Sequence, residues 1–405
     1  MIATVYPGKI LGKLPAIPSK SHVHRLLICA AFAEGTTRIY CPVLNEDIEA
    51  TARCLAALGA EISYENECFT VKSGNAGKAP LLNVGESGST YRFLFPVAAA
   101  LGCDASFSLH GRLPSRPMKE LVAAMTPHGV TFEGLGSDTV TVKGILTGGR
   151  YELPGDVSSQ YISALIFALP LTAVDSEIVL TTAVESKGYI NMTLDAVHSF
   201  GIKADWTGDR IEIPGGQKFI SPGEIVAEGD WSNAAFMLCA AAAAGEKVEL
   251  TGLNPDSAQG DRAVMGIISD FGVPPVGCTI SLADIPDLSP ALAVLAAAAS
   301  GETRMVDAAR LRLKESDRIE AITRTLNALG ADAEGTDDSI IIRGGKKLSG
   351  GIVDSFGDHR IAMMAACTAV ISENPITINR AEAVRKSYPR FFEDIAKLGL
   401  KVDIC

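Results

Sequence analysis

The sequence predicts an α/β protein of two domains, each of three repeated βαβαββ-type units around buried helices. Three observations lead there. The segment Glu49 to Ala60, EATARCLAALGA, recurs as Glu320 to Ala331, EAITRTLNALGA, with eight of twelve positions identical. A glycine closing an amphipathic helix returns at 59, 129, 201, 272, 330 and 399, at steps of roughly seventy residues with one shorter step from 272 to 330. A small polar or acidic start to an apolar helix keeps the same rhythm at Gly85-Glu86, Gly155-Asp156, Gly229-Asp230, Asp287-Leu288-Ser289 and Gly357-Asp358, with Pro18-Ser19-Lys20-Ser21 as its sixth member.

Each element follows from its local pattern. The closing glycines come after stretches with helical apolar spacing, such as Leu194, Val197 and Phe200, and suit the left-handed conformation that ends many helices. Alternation follows them: Ile62, Tyr64, Phe69 and Val71, or Ile211 and Ile213, or Ile340 and Ile342, so every unit is expected to carry helix, strand, turn, strand. The other helix of each unit, as at Ala234 to Ala244 or Ile361 to Ala369, is apolar nearly all round and must be buried. A unit this long suits two compact domains of three better than an open array. The expected seams near 18 and 227 give one discontinuous domain, 1–18 plus 228–405, and a second, 19–227. Gly215, Gly216, Pro222 and Gly223 supply turn residues before the second seam.

Composition bounds the function. The 405 residues are 47% hydrophobic and 20% charged, enough for packed cores with a solvated surface, and the net charge is −11. A negative chain has no broad positive field for a phosphate backbone or an anionic membrane, so neither nucleic acid nor membrane is expected as a partner. The longest apolar runs, Ala234 to Gly245 and Ala291 to Ala299, are too short to span a bilayer, and a cytoplasmic location is expected. The nine cysteines form no C-x-x-C pair and read as reduced packing residues. His22 and His24 are the one close histidine pair, read as a polar helix start, and no metal site is expected.

Repeated helix starts carry the chemistry. Unpaired N–H groups and a partial positive charge make each a ready phosphate or carboxylate site. Basic residues stand beside them in this acidic chain: Lys20 and Arg25, Arg92, Arg116, Arg318, Arg360 and Lys386. A pocket focused on multiply anionic small molecules explains that pattern. No G-x-x-x-x-G-K-[ST] occurs, and Gly134-Leu135-Gly136 lacks the third glycine of a dinucleotide fingerprint, which argues against triphosphatases and nicotinamide enzymes. Gly85-Glu86-Ser87-Gly88-Ser89 does not fit a nucleophile elbow.

These residues together resemble the 5-enolpyruvylshikimate-3-phosphate synthase family, from end to end. The resemblance rests on Ser19-Lys20-Ser21 with Arg25, Gly88 with Arg92, Arg116-Pro117, Ser158-Ser159-Gln160, Ser186 with Tyr189, Ile285-Pro286-Asp287, Lys314-Glu315-Ser316-Asp317-Arg318, Asp358-His359-Arg360 and Lys386-Ser387-Tyr388-Pro389. It implies the enolpyruvyl transferase fold with ligands in a cleft between two three-unit domains. It also implies transfer of the enolpyruvyl group of phosphoenolpyruvate to the 5-hydroxyl of shikimate 3-phosphate, without metal or cofactor; separately, a monomer is expected. The resemblance assigns Lys20, Ser21, Arg25, Ser158, Ser159, Gln160, Ser186, Asp287 and Lys314 to shikimate 3-phosphate. It assigns Lys20, Gly88, Arg116, Gln160, Arg318, Arg360 and Lys386 to phosphoenolpyruvate. Glu315 is expected to give and take the proton at the methylene carbon and Asp287 to accept the hydroxyl proton, with Lys20 and Lys314 the most sensitive cations.

Read without the resemblance, Glu315 would be a salt-bridged acid at a helix start and Asp287 a simple N-cap. The chain departs from the family's usual pattern at Glu86 (commonly asparagine), Phe93 (often proline) and Arg310 (often asparagine). Glyphosate, the family's phosphoenolpyruvate-site inhibitor, is expected to fit beside the bare Gly88 and to be excluded by Gly88→Ala. Two other readings are weaker. The sister enzyme acting on UDP-N-acetylglucosamine typically needs a cysteine in the loop that here spans Arg112 to Arg116, and none is present. An RNA-end-processing protein would need a basic, aromatic-lined stripe.

Overall fold

A computed structural model describes residues 1–75 and 77–405. Residue contacts group the chain into two compact units, Pro18–Glu228 and Met1–Ile17 with Gly229–Cys405. The first holds α1 (Lys20–Phe32), α2 (Glu46–Ala57), α3 (Gly88–Ala100), α4 (Lys119–Met125), α5 (Ser159–Ala168) and α6 (Lys187–Ser199). The second holds α7 (Trp231–Ala243), α8 (Val264–Phe271), α9 (Ser289–Ala298), α10 (Arg318–Ala328), α11 (His359–Cys367) and α12 (Phe391–Lys397).

In Pro18–Glu228 the buried helices α1, α3 and α5 form the centre, and three four-stranded sheets surround them. Each sheet repeats one pattern: a leading strand lies parallel to a second, which is followed by an antiparallel hairpin. Leu81–Gly85, Ala105–Leu109, Thr139–Gly144 and Val130–Glu133 lie side by side in that order. Arg150–Leu153, Ser176–Leu180, Arg210–Ile213 and Asp205–Thr207 repeat it. In the third sheet the leading strand is Glu224–Val226, from the far end of the unit, paired with Thr36–Tyr40. The last strand thus closes onto the first repeat.

The other unit closes in the same way. Gly351–Asp354 and Ile376–Asn379 are parallel, and the N-terminal strand Ile2–Val5 inserts between Ile376–Asn379 and the C-terminal Val402–Ile404. Thr279–Ser281, Gly301–Val306, Ile340–Gly344 and Asp332–Gly335 form a complete sheet. The remaining repeat is reduced to Gly12–Pro15 parallel to Val248–Thr251. This corrects the expectation that every unit carries helix, strand, turn, strand. Between Val248–Thr251 and Thr279–Ser281 the described residues form no hairpin, and that loss is the short step in the glycine rhythm.

All six rhythm glycines have positive φ, from +74° at Gly272 to +115° at Gly399, so each supplies the backbone conformation its helix end needs. The acidic landmarks are only in part helix caps. Asp230 and Asp358 cap α7 and α11, accepting from Asn233 N and Arg360 N. In the first unit serines do this work: Ser19, Ser87 and Ser158 cap α1, α3 and α5, while Glu86 and Asp156 are exposed. Six of the nine cysteines are buried, and burial raises their thiol pKa where a shift is resolved. Among the described residues no helix is long and apolar enough to cross a membrane.

Candidate active site

In the unit containing Gly229–Cys405, one guanidinium organises the predicted residues. Arg318, in the first turn of α10, is 1% exposed. It donates from Nε to Asp358 Oδ2 (2.9 Å), from Nη1 to Asp287 Oδ1 (2.8 Å) and from Nη2 to Glu315 Oε2 (2.8 Å). Ser316 Oγ adds a bond to Asp358 Oδ2. Three separate segments thereby meet: the turn before α9, the K-E-S-D-R run and the start of α11.

Asp287 receives two further cations. Lys314 Nζ lies 3.2 Å from Oδ1, and Arg360 places Nη2 3.4 Å from Oδ2 while donating from Nη1 to the Asp287 carbonyl. The reading of Asp287 as an N-cap is therefore corrected: α9 has no side-chain cap, because the carboxylate is drawn towards Lys314, Arg318 and Arg360. Burial alone would raise its pKa. Arg360, then Lys314 and Arg318, overcome that and hold it well below the usual carboxylate range. Burial lowers the Lys314 pKa, with Asp287 opposing. Glu315 does form the helix-start ion pair with Arg318, in the same network.

Lys386 is 7% exposed and ends the 3-10 turn Ala381–Lys386, which packs against α11. Arg310 donates to the Ala283 carbonyl. Asp261, which sequence reasoning missed, is buried on the turn Gly260–Ala263. Burial first, then Asp287, push its carboxyl up to about 6, against the pull of Arg360.

Pro18–Glu228 gathers the other predicted residues around the starts of α1, α3, α5 and α6. Arg25, 2% exposed, donates to Thr193 Oγ1 (2.8 Å), the Ser21 carbonyl (2.7 Å) and the Tyr189 carbonyl (2.9 Å), and stacks over Phe93. Burial lowers its pKa to about 10, so it stays charged near neutrality. Ser186 stands in the left-handed region just before α6. Lys20, in the first turn of α1, donates to Asp47 Oδ2 at 2.8 Å. Asp47 was another omission, since the acid-rich start of α2 reads simply as dipole complementarity.

The Gly88 turn is crowded with cations. A Cβ on Gly88 would lie 2.7 Å from Arg116 Nη1 and 3.3 Å from Arg92 Nη1. Arg92 donates to Gln160 Oε1 (2.6 Å), and Gln160 Nε2 donates to Ser89 Oγ (3.0 Å). Ser158 caps α5 and Ser159 is buried. Beneath the turn runs a buried polar chain. His24 Nδ1 lies 2.6 Å from Thr51 Oγ1, which is 2.6 Å from Thr90 Oγ1, and Thr90 donates to Ser87 Oγ. Burial lowers the His24 pKa to about 3, so this member of the histidine pair is a neutral core group. Glu86 packs against Gly111.

In the unit with Gly229–Cys405 two carboxylates among Lys314, Arg318 and Arg360 suit acid–base chemistry, and in Pro18–Glu228 the cations near the helix starts suit small anions. A family model described as EPSP synthase (3-phosphoshikimate 1-carboxyvinyltransferase) matches residues 5–281 and 267–395. The chain belongs to the EPSP synthase family. It is 40% identical to the 3-phosphoshikimate 1-carboxyvinyltransferase of Clostridium kluyveri, covering 99% of this chain and 98% of that one. It is 38% identical to the protein of the same name from Halobacterium salinarum, over 100% of both. Among solved structures it matches the EPSP synthase of Acinetobacter baumannii, with a TM-score of 0.82, 25% identity and full coverage of both chains. The enolpyruvyl transferase NikO of Streptomyces tendae shares the fold, with a TM-score of 0.79 at 18% identity over 99% of this chain and 98% of that one.

Proposed function

We propose that this EPSP synthase family member transfers the enolpyruvyl group of phosphoenolpyruvate to the 5-hydroxyl of shikimate 3-phosphate, with Glu315 and Asp287 moving the protons. The observation that supports these roles most is the convergence of Lys314, Arg318 and Arg360 on Asp287, with Glu315 on the same guanidinium.

Glu315 delivers a proton to the methylene carbon of phosphoenolpyruvate, leaving C2 electron-poor. The hydroxyl oxygen attacks C2 and its proton passes to Asp287, giving a tetrahedral ketal. Glu315 then takes a proton back from the new methyl group, the C2–O bond to phosphate breaks, and the phosphate leaves carrying the proton that Asp287 had taken, which restores both carboxyls. Asp287 is a feeble base while three cations hold it. A substrate phosphate or carboxylate that engages Arg360 and Lys314 weakens that hold and raises its proton affinity, so the base is armed by binding.

Lys20, Ser21, Arg25, Ser158, Ser159, Gln160, Ser186, Asp287 and Lys314 serve shikimate 3-phosphate. Lys20, Gly88, Arg116, Gln160, Arg318, Arg360 and Lys386 serve phosphoenolpyruvate, and loss of one such preorganised cation costs about 3 kcal/mol of transition-state stabilisation. Glyphosate as an inhibitor at Gly88, a monomeric state and a cytoplasmic location belong to the same proposal. The test is phosphate release from phosphoenolpyruvate with shikimate 3-phosphate or UDP-N-acetylglucosamine as acceptor. Release with the shikimate ester is expected; release with the sugar nucleotide alone would overturn the reading.

A further inference from the structure

Within Pro18–Glu228 a cavity of about 470 Å³ is lined in part by Arg116, whose guanidinium also lies against Gly88. Its wall is mainly apolar, with Tyr91, Leu109, Met118, Val122 and Leu135 contributing. Leu135 is 47% exposed at the turn joining the strands Val130–Glu133 and Thr139–Gly144, where a large apolar side chain adds nothing to the core. Two cations stand on this apolar surface, Arg116 and Lys119. The Lys119 ammonium has no hydrogen-bond or ion-pair partner among the described residues.

The volume suits a small molecule of one or two rings. A tyrosine ring and a methionine in the lining favour an aromatic body. An ammonium and a guanidinium at an apolar wall favour one carboxylate on that body, since the ring is desolvated against the wall while the anion finds charged donors. Phosphoenolpyruvate, with two anionic groups and no ring, would leave the wall unfilled.

We propose that this cavity is a binding site for a small aromatic carboxylate, and that its occupant draws on Arg116. The second half rests on the reading that Arg116 holds phosphoenolpyruvate, because one guanidinium, packed against Gly88 and lining the cavity, then serves two anions. Each ligand must weaken the other by the same factor.

The probe is 3-phenylpropanoate, titrated calorimetrically into the full chain without substrates. Saturable one-to-one binding is expected, weakened at least tenfold in Lys119→Glu and lost in Ala123→Trp, whose indole fills the cavity. Both variants should keep the parent's circular dichroism and phosphate-release turnover. No binding to the parent, or parent-like binding by Lys119→Glu, overturns the site; should Ala123→Trp fail to fold, Lys119→Glu decides. In steady state the probe should raise KM for phosphoenolpyruvate at least fivefold at unchanged kcat, and an unchanged KM overturns the sharing of Arg116. The calorimetric result stands even if the chain shows no transfer activity, so failure of the site and failure of the proposed function are told apart.

Discussion

Asp261 is buried and Asp287 half-buried in the same unit, yet their carboxyls have opposite fates, and the difference is who surrounds them. Asp287 has three cations at hydrogen-bonding or ion-pair range and stays ionised. Asp261 feels Asp287 as a like charge and has mainly burial to contend with, so it holds its proton up to about 6. Between roughly pH 4 and 6 the folded chain therefore keeps a proton that the unfolded chain has released. Stability from this group falls as pH rises through that window and stays low above it. Asp261→Asn should gain stability over the parent at pH 8 but not at pH 4, read from urea unfolding midpoints; an equal effect at both would contradict the shift. For the reacting groups, Asp287→Ala and Glu315→Gln should lose turnover by about 10³-fold with the circular dichroism unchanged. Near-parental turnover of both would remove their assigned roles.

At the scale of elements, the helix starts are held by caps and buried hydroxyls. Ser87 caps α3 and ends the chain His24–Thr51–Thr90, linking α1 and the middle of α2 to the start of α3. Ser87→Ala should cost about 1–2 kcal/mol by thermal or urea unfolding, since it removes the cap and one of the two hydrogen bonds of the Thr90 hydroxyl. An unchanged midpoint would show the chain to be inconsequential. Much of this level was legible in the sequence. The glycines at 59, 129, 201, 330 and 399 each closed a periodic helix, because only a residue without Cβ takes that backbone cheaply. The K-E-S-D-R run was visible because its chemistry is local. Lys20 with Asp47 and Asp261 with Asp287 were not, for each joins residues 26 or 27 positions apart on different elements, and only packing brings them together. Nor did the sequence show Ser87 in place of Glu86 as the cap of α3, since either residue type serves that position.

For the whole molecule, repetition settles how each unit is closed. In both units a strand from one end of the segment completes a sheet begun at the other: Glu224–Val226 on Thr36–Tyr40, and Ile2–Val5 between Ile376–Asn379 and Val402–Ile404. Removing residues 1–5 should then destabilise the Gly229–Cys405 portion severely, because two strands lose their shared partner and Ala3 and Val5 leave the core. Limited proteolysis would show cleavage near the C-terminus of the truncated chain; resistance equal to the parent's would contradict this closure. The charge balance belongs to this scale too. A chain of net −11 keeps Arg25, Arg92, Arg318, Arg360 and Lys386 buried, whereas cations such as Lys13, Arg150 and Lys218 sit exposed in surface ion pairs with acidic neighbours.

The most direct measurement is mass spectrometry of the product formed from phosphoenolpyruvate and shikimate 3-phosphate in D₂O. Protonation at the methylene carbon followed by proton loss from a rotating methyl predicts an enolpyruvyl ether carrying solvent deuterium on its vinyl group, with Glu315→Gln forming little product. A vinyl group free of deuterium, or no ether at all from the parent chain, would contradict the account.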